Sequence, residues 1–254
     1  MGCERVYSTE NYWTIFMIDG KFQSNPRWVL VEYIDTFSTD DSIVTSYDFI
    51  DKTYIYHKEN LSFSNRKYDT IDLANVGIHF CWEGYLYNLR IVGIRWEVAV
   101  YYCGAEHGTI HYSFNVTESE DRLFRRLLNT FEDNAFVNYF PIVDCEKFRH
   151  TSGVIHALYL RTVTRKKRSE YFGAFHDTNY DSIVRLFRMI YELTDLILRN
   201  HISPPESQEK ARISNTIDLL DVRERFNYWS DKDCCTGHRL IPPPPLPLEY
   251  SDNF

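Results

Sequence analysis

The order strand, strand, helix occurs twice between Gly93 and Asn200, at a constant offset of sixty residues, and this spacing narrows the folds open to the chain. In the first copy Trp96, Val98, Val100 and Tyr102 alternate with Glu97, Ala99 and Tyr101. After Cys103 to Thr109, the residues Ile110, Tyr112, Phe114 and Val116 alternate with His111, Ser113 and Asn115. A period of two marks a half-buried strand, so the two runs predict a hairpin with one apolar face. Thr117 then stands at an N-cap position, followed by Glu118, Glu120 and Asp121, whose charge suits a helix N-terminus. Leu123, Phe124, Leu127, Leu128 and Phe131 recur on one helical face, and the helix should end near Asn134.

Adding sixty to each position gives the second copy. Gly93 becomes Gly153, Val98 and Val100 become Leu158 and Leu160, Tyr112 becomes Phe172, and Thr117 becomes Asp177. Leu123, Phe124, Leu127 and Phe131 become Ile183, Val184, Phe187 and Tyr191. Trp96 against His156 and Phe114 against Ala174 break the pattern. Neither unit alone can bury its apolar side. The expected class is therefore α+β: a duplicated β-β-α unit whose hairpins join in one antiparallel sheet, with both helices on one face. The two hairpin tips should then lie at equivalent ends of that sheet.

Three regions follow. Residues 1–88 form an N-terminal β-rich region, with runs such as Trp28 to Tyr33, Thr53 to Tyr56 and Ile78 to Trp82 between polar breaks. Residues 89–201 hold the duplicated unit, and residues 202–254 a charged helix from Glu206 to about Arg225 and a proline-rich tail.

The formal net charge of −8 opposes long-range attraction to nucleic acid or anionic membrane, though a local basic patch can still act. No apolar run approaches the roughly 20 residues of a membrane-spanning helix, and no membrane partner is expected. Six scattered cysteines without a disulfide rhythm predict reduced thiols and a cytoplasmic location.

The densest set of metal-type ligands is Cys234, Cys235 and His238, half of a tetrahedral zinc site. No cofactor is expected beyond such a structural zinc, whose remaining ligands would come from Cys81, Cys145 or His150. Glu106, His107 and His111 bring acid and base groups to the first hairpin, and Asp144, Glu146 and Lys147 are the nearest approach to a carboxylate cluster. Exposed strand and loop positions explain both sets equally well. Arg161, Arg165, Lys166, Lys167 and Arg168 place five positive charges at the second tip, with Tyr171 and Phe172 near enough to stack on bases. Arg239, Pro242 and Pro245 carry the Arg-x-x-Pro-x-x-Pro spacing that docks as a polyproline II helix, and Pro247 extends the same partner-binding tail.

No motif names a reaction, and the balance leans away from an enzyme. The expectation is a protein-interaction protein, a subunit, inhibitor or immunity-type partner, using an aromatic-rich sheet surface and the proline-rich tail. The alternatives are a nucleic-acid-associated or nuclease-like protein using residues 161–168, and a small hydrolase or transferase using His107 and His111.

Overall fold

The computed structural model describes residues 6–8, 14–25, 33–34, 42–47, 50–62, 66–75, 85–102, 109–136, 139–140, 156–175 and 182–202. The first six strands are β1 (Val6–Ser8), β2 (Thr14–Ile18), β3 (Lys21–Asn25), β4 (Tyr33–Ile34), β5 (Ser42–Tyr47) and β6 (Ile50–Glu59), paired in the order β3-β2-β1-β6-β5-β4. Asp19 and Gly20, both at positive φ, close the tight β2–β3 hairpin.

The second sheet uses β7 (Thr70–Asn75), β8 (Tyr85–Val92), β9 (Arg95–Tyr102), β10 (Thr109–Asn115), β11 (Tyr139–Phe140), β12 (His156–Val163) and β13 (Arg168–Phe175). Helix α1 (Glu118–Asn134) follows β10, and α2 (Ser182–His201) follows β13. The order is β10-β9-β8-β7-β12-β13-β11, antiparallel except where two-residue β11 runs parallel to β13. The class is thus α+β, an antiparallel sheet with two helices. β8 runs across the boundary the sequence places between residues 88 and 89, and β7 lies at the middle of the sheet. Short alternating runs such as Ile71, Leu73 and Leu89, Ile91 carry this extension.

Register shows why the sixty-residue offset fails in detail. Trp96 faces Phe114 in the first hairpin, but His156 faces Phe175 in the second, and Ala157 faces Ala174. A slip of one residue turns a strand over. Tyr171 therefore faces the helices, its ring 5.0 Å from Phe131, and Phe172 faces away, whereas Tyr112 packs against the helix-side core. The described part of α2 starts at Ser182, and Asp177 lies outside the described residues. The hairpins are not neighbours either, because β8 and β7 stand between them. Three antiparallel pairings separate β9 from β12, so the two strands run in opposite directions. The ends of β9 and β12 that lead into the two tips consequently lie at opposite ends of the sheet, not at equivalent ones, and residues 103–108 lie outside the described residues.

The core lies between this sheet and the helices. Across the sheet, Phe114, Trp96, Ile91, Ile71 and Thr162 stand in one row, and Tyr112, Val98, Leu89, Leu73, Leu160 and Tyr171 in the next. Phe124 meets Trp96 edge-on at 5.3 Å, and Phe131 meets Phe187 at 5.0 Å. α2 buries Leu186, Met189, Ile190, Leu193, Leu196 and Ile197, which exceeds one face. Phe16 and Ile18 of β2 join the same core, so the helices are apolar toward both layers.

Helix α1 starts with a complete capping box. The Glu120 amide donates to Thr117 Oγ1 at 3.2 Å, and the Thr117 amide donates to Glu120 Oε2 at 2.8 Å. Glu120 also bonds His201 Nε2 at 2.9 Å, and that imidazole stacks on Phe114 at 4.7 Å. The start of α1 is therefore pinned to the end of α2, and the helices run antiparallel. Thr117→Ala should cost about 1 kcal/mol. Glu120→Ala should cost more, since it removes the acceptor for the Thr117 amide and also the bond to His201. Urea unfolding of the two variants checks this; equal losses would show that the bond to His201 adds no stability.

Candidate functional site

The face of the seven-stranded sheet turned away from the helices carries a row of charge. Register sets Ser113, Glu97, Arg90, Asp72, Arg161 and Glu170 side by side on β10, β9, β8, β7, β12 and β13. Signs alternate from Glu97 to Glu170, which is the favourable cross-strand arrangement. Asp72, 1% exposed, is the centre. Arg90 Nε donates to its Oδ1 at 2.8 Å, and Arg161 donates to its Oδ2 from Nε at 2.8 Å and from NH2 at 2.5 Å. Burial is the largest single influence and lowers the Arg161 pKa, but the charge and hydrogen bond of Asp72, with Tyr159 and Glu170, together outweigh it and raise the value. Arg168 closes the far end on Glu170.

The adjoining row on the same face reads His111, Ala99, Asn88, Ala74, Tyr159 and Phe172. Ala74, Asn88, Tyr159 and Phe172 are buried. Burial and the nearby Glu170 charge raise the Tyr159 pKa. Nε2 of His111 is buried with no hydrogen-bond partner among the described residues, and desolvation lowers the pKa of the ring. His111 thus shares the polar side of β10 with Ser113 and Asn115, as alternation predicts, but is less exposed than either.

On the helix side, Glu132 gathers three donors from two other parts of the chain. Arg66 NH1 donates at 2.6 Å, Tyr68 Oη at 3.0 Å and Thr162 Oγ1 at 2.5 Å. Burial and then the Glu132 charge push Tyr171 up to about 12. A carboxylate satisfied this fully joins the segment before β7 to α1 and β12.

The second tip is smaller than the sequence suggests. Arg161 is not in it; that side chain is spent on Asp72. Neither ring is free to stack on bases, since Tyr171 packs on Phe131 and Phe172 is buried opposite Tyr159. What remains is the Thr164–Lys167 turn, in which Thr164 Oγ1 accepts from the Lys167 amide at 3.1 Å, with Arg165, Lys166 and Lys167 exposed. Glu106, His107, Cys81, Asp144, Cys145, Glu146, Lys147, His150, Cys234, Cys235, His238, Arg239, Pro242, Pro245 and Pro247 lie outside the described residues. Among the described residues no group of three or more His, Cys, Asp or Glu side chains converges as metal ligands. No helix among them is long and apolar enough to cross a membrane.

Asp72 and Arg90 were legible as single charges inside apolar alternation, Ile71-Asp72-Leu73 and Leu89-Arg90-Ile91. Nothing in the sequence paired them. No known protein family, curated protein or solved structure matches the chain.

Asp72→Asn should destabilise the protein by about 3–5 kcal/mol, because two guanidinium groups lose a buried counter-charge. Arg90→Ala should cost less than Arg161→Ala, since the side chain of Arg90 is 34% exposed and that of Arg161 12%. Equal losses in urea unfolding would mean that burial does not set the strength of these pairs. For His111, a lowered folded pKa means that the unfolded chain binds the proton more tightly, so stability falls as pH drops below 6.5. His111→Gln should flatten that part of the stability profile between about pH 7 and about pH 5; a profile parallel to the parent's would refute the assignment.

Proposed function

We propose that the chain is a non-enzymatic protein-interaction protein, a subunit, inhibitor or immunity-type partner, in the cytoplasm. The observation that carries this reading is the edge strand β10. Among the described residues it ends the seven-stranded order with seven residues, Ser113 and Asn115 exposed, and pairs on one side with β9. Sheet edges are commonly blunted by short strands. The described parts of β4 and β11 are two residues each, and five-residue β3 lies next to α2. β10 is long enough for a partner's extended segment to add to the sheet. The proline-rich tail supplies a second contact in the same reading, and the two strand-strand-helix units are copies of one ancestral unit whose register has since drifted.

The second reading, a nucleic-acid-associated protein, is favoured by exposed Arg165, Lys166 and Lys167 and weakened by the burial of Tyr171 and Phe172. Size-exclusion chromatography with light scattering, after pull-down from the native host, tests the first. The parent should elute in a complex. Ser113→Lys with Asn115→Lys, exposed changes that place cations on the edge strand, should weaken that complex about tenfold or more. A strictly monomeric parent with no retained partner, or a complex indifferent to both lysines, would count against it.

A further inference from the structure

The end of the sheet that carries the Thr164–Lys167 turn also carries the β8–β9 turn. Val92 and Arg95 pair across it, with Gly93 at φ +60 and Ile94 between them. Glycine at the first central position supplies the positive φ that such a two-residue hairpin turn requires. Val92 is 51% exposed and Ile94 50%, two aliphatic residues presented together. The turn is also held in place. The Ile94 carbonyl accepts from the Val116 amide at 3.0 Å, and Arg125 NH2 donates to the Gly93 carbonyl at 2.6 Å. Arg125 is itself fixed by Asp121 at 2.8 Å.

β7 and its lead-in lie between the two turns, with the Asp69 amide bonded to the Val163 carbonyl at 2.8 Å. The turns are three strand spacings apart, or about 14 Å. Lys67, Arg165, Lys166 and Lys167 are exposed at this end, and none has an ion-pair partner among the described residues. Asp69 stands among them. Elsewhere the described arginines near this end are engaged: Arg66 by Glu132 and Asp133, Arg95 by Glu97, Arg122 by Glu118, Arg168 by Glu170. In a chain of net charge −8, a cluster of uncommitted cations beside a fixed aliphatic turn is a local reversal of the overall charge.

We propose that this end of the sheet docks on an anionic lipid surface, with Val92 and Ile94 entering the headgroup layer and the four cations meeting lipid phosphates and carboxylates. Aliphatic tips suit an apolar layer beneath charge, whereas nucleic acid rewards rings that stack on bases, and this end presents none among the described residues. The short aliphatic payload makes the contact peripheral and reversible, and it depends on the cations for most of its strength.

The test is co-sedimentation of the full chain with vesicles of phosphatidylcholine alone and of phosphatidylcholine with about one third phosphatidylserine, at low and high salt. The parent should bind the anionic vesicles at low salt and leave them at high salt. A triple variant, Arg165→Ser with Lys166→Ser and Lys167→Ser, should bind about a hundredfold more weakly. Val92→Ser with Ile94→Ser should lose about tenfold while keeping the salt dependence. Thermal melting of each variant separates lost binding from lost fold. A parent that stays in the supernatant with anionic vesicles, or variants that bind as the parent does, overturns the proposal. So does tight binding to a single-stranded oligonucleotide or to polyglutamate that the Val92 and Ile94 changes leave untouched, which would assign the cations to nucleic acid or to an acidic protein.

Discussion

A carboxylate removed from water between two guanidinium groups holds the middle of this protein together. Asp72 lies on β7, the strand on which both halves of the larger sheet meet, and it takes Arg90 from one side and Arg161 from the other. Ion pairs buried in this way add little net stability, because desolvation consumes most of the attraction. Their value lies in what they forbid. Moving β7 by one residue would turn Asp72 into the apolar layer and bring Ile71 and Leu73 out of it, so the pair of bonds fixes the register on both sides at once. The helix layer rests on that register, since Thr162 must reach Glu132 and Trp96 must meet Phe124.

Local chemistry was legible in the sequence. Alternation placed β9 and β10, Thr117 and Glu120 announced the start of α1, and the apolar spacing located its end at Asn134. Such signals depend on neighbours a few residues away, which a linear reading can see. The order of strands depends on which edges meet in space. Nothing in Thr70 to Asn75 says that it lies between β8 and β12, and the fixed offset hid this by making the two hairpins look like adjacent equals.

The same limit governed the surface. Arg161 reads as one of five clustered cations, and only the pairing of β7 with β12 reveals that Asp72 has claimed it. Phe172 reads as the counterpart of Tyr112 and as a ring near enough to stack on bases, and only the slipped register of β13 shows it on the face away from the helices, buried opposite Tyr159. For α2 the sequence did hold the answer in part. Leu186, Met189 and Leu196 lie off the stripe made by Ile183, Val184, Phe187 and Tyr191, and a helix apolar on more than one side belongs in the middle of a structure.

The place of β7 also bears on how the chain reaches this state. β8, β9, β10 and α1 follow one another closely in sequence, as do β12, β13 and α2, so each group assembles from near neighbours. β7 finds β8 within the first group, but its other partner, β12, lies more than eighty residues downstream. Closing that gap carries the largest entropy loss in the sheet and the greatest sequence separation among its pairings. The seam between β7 and β12 is therefore where two quickly formed halves become one molecule, and an error there leaves both halves intact and the protein unfinished.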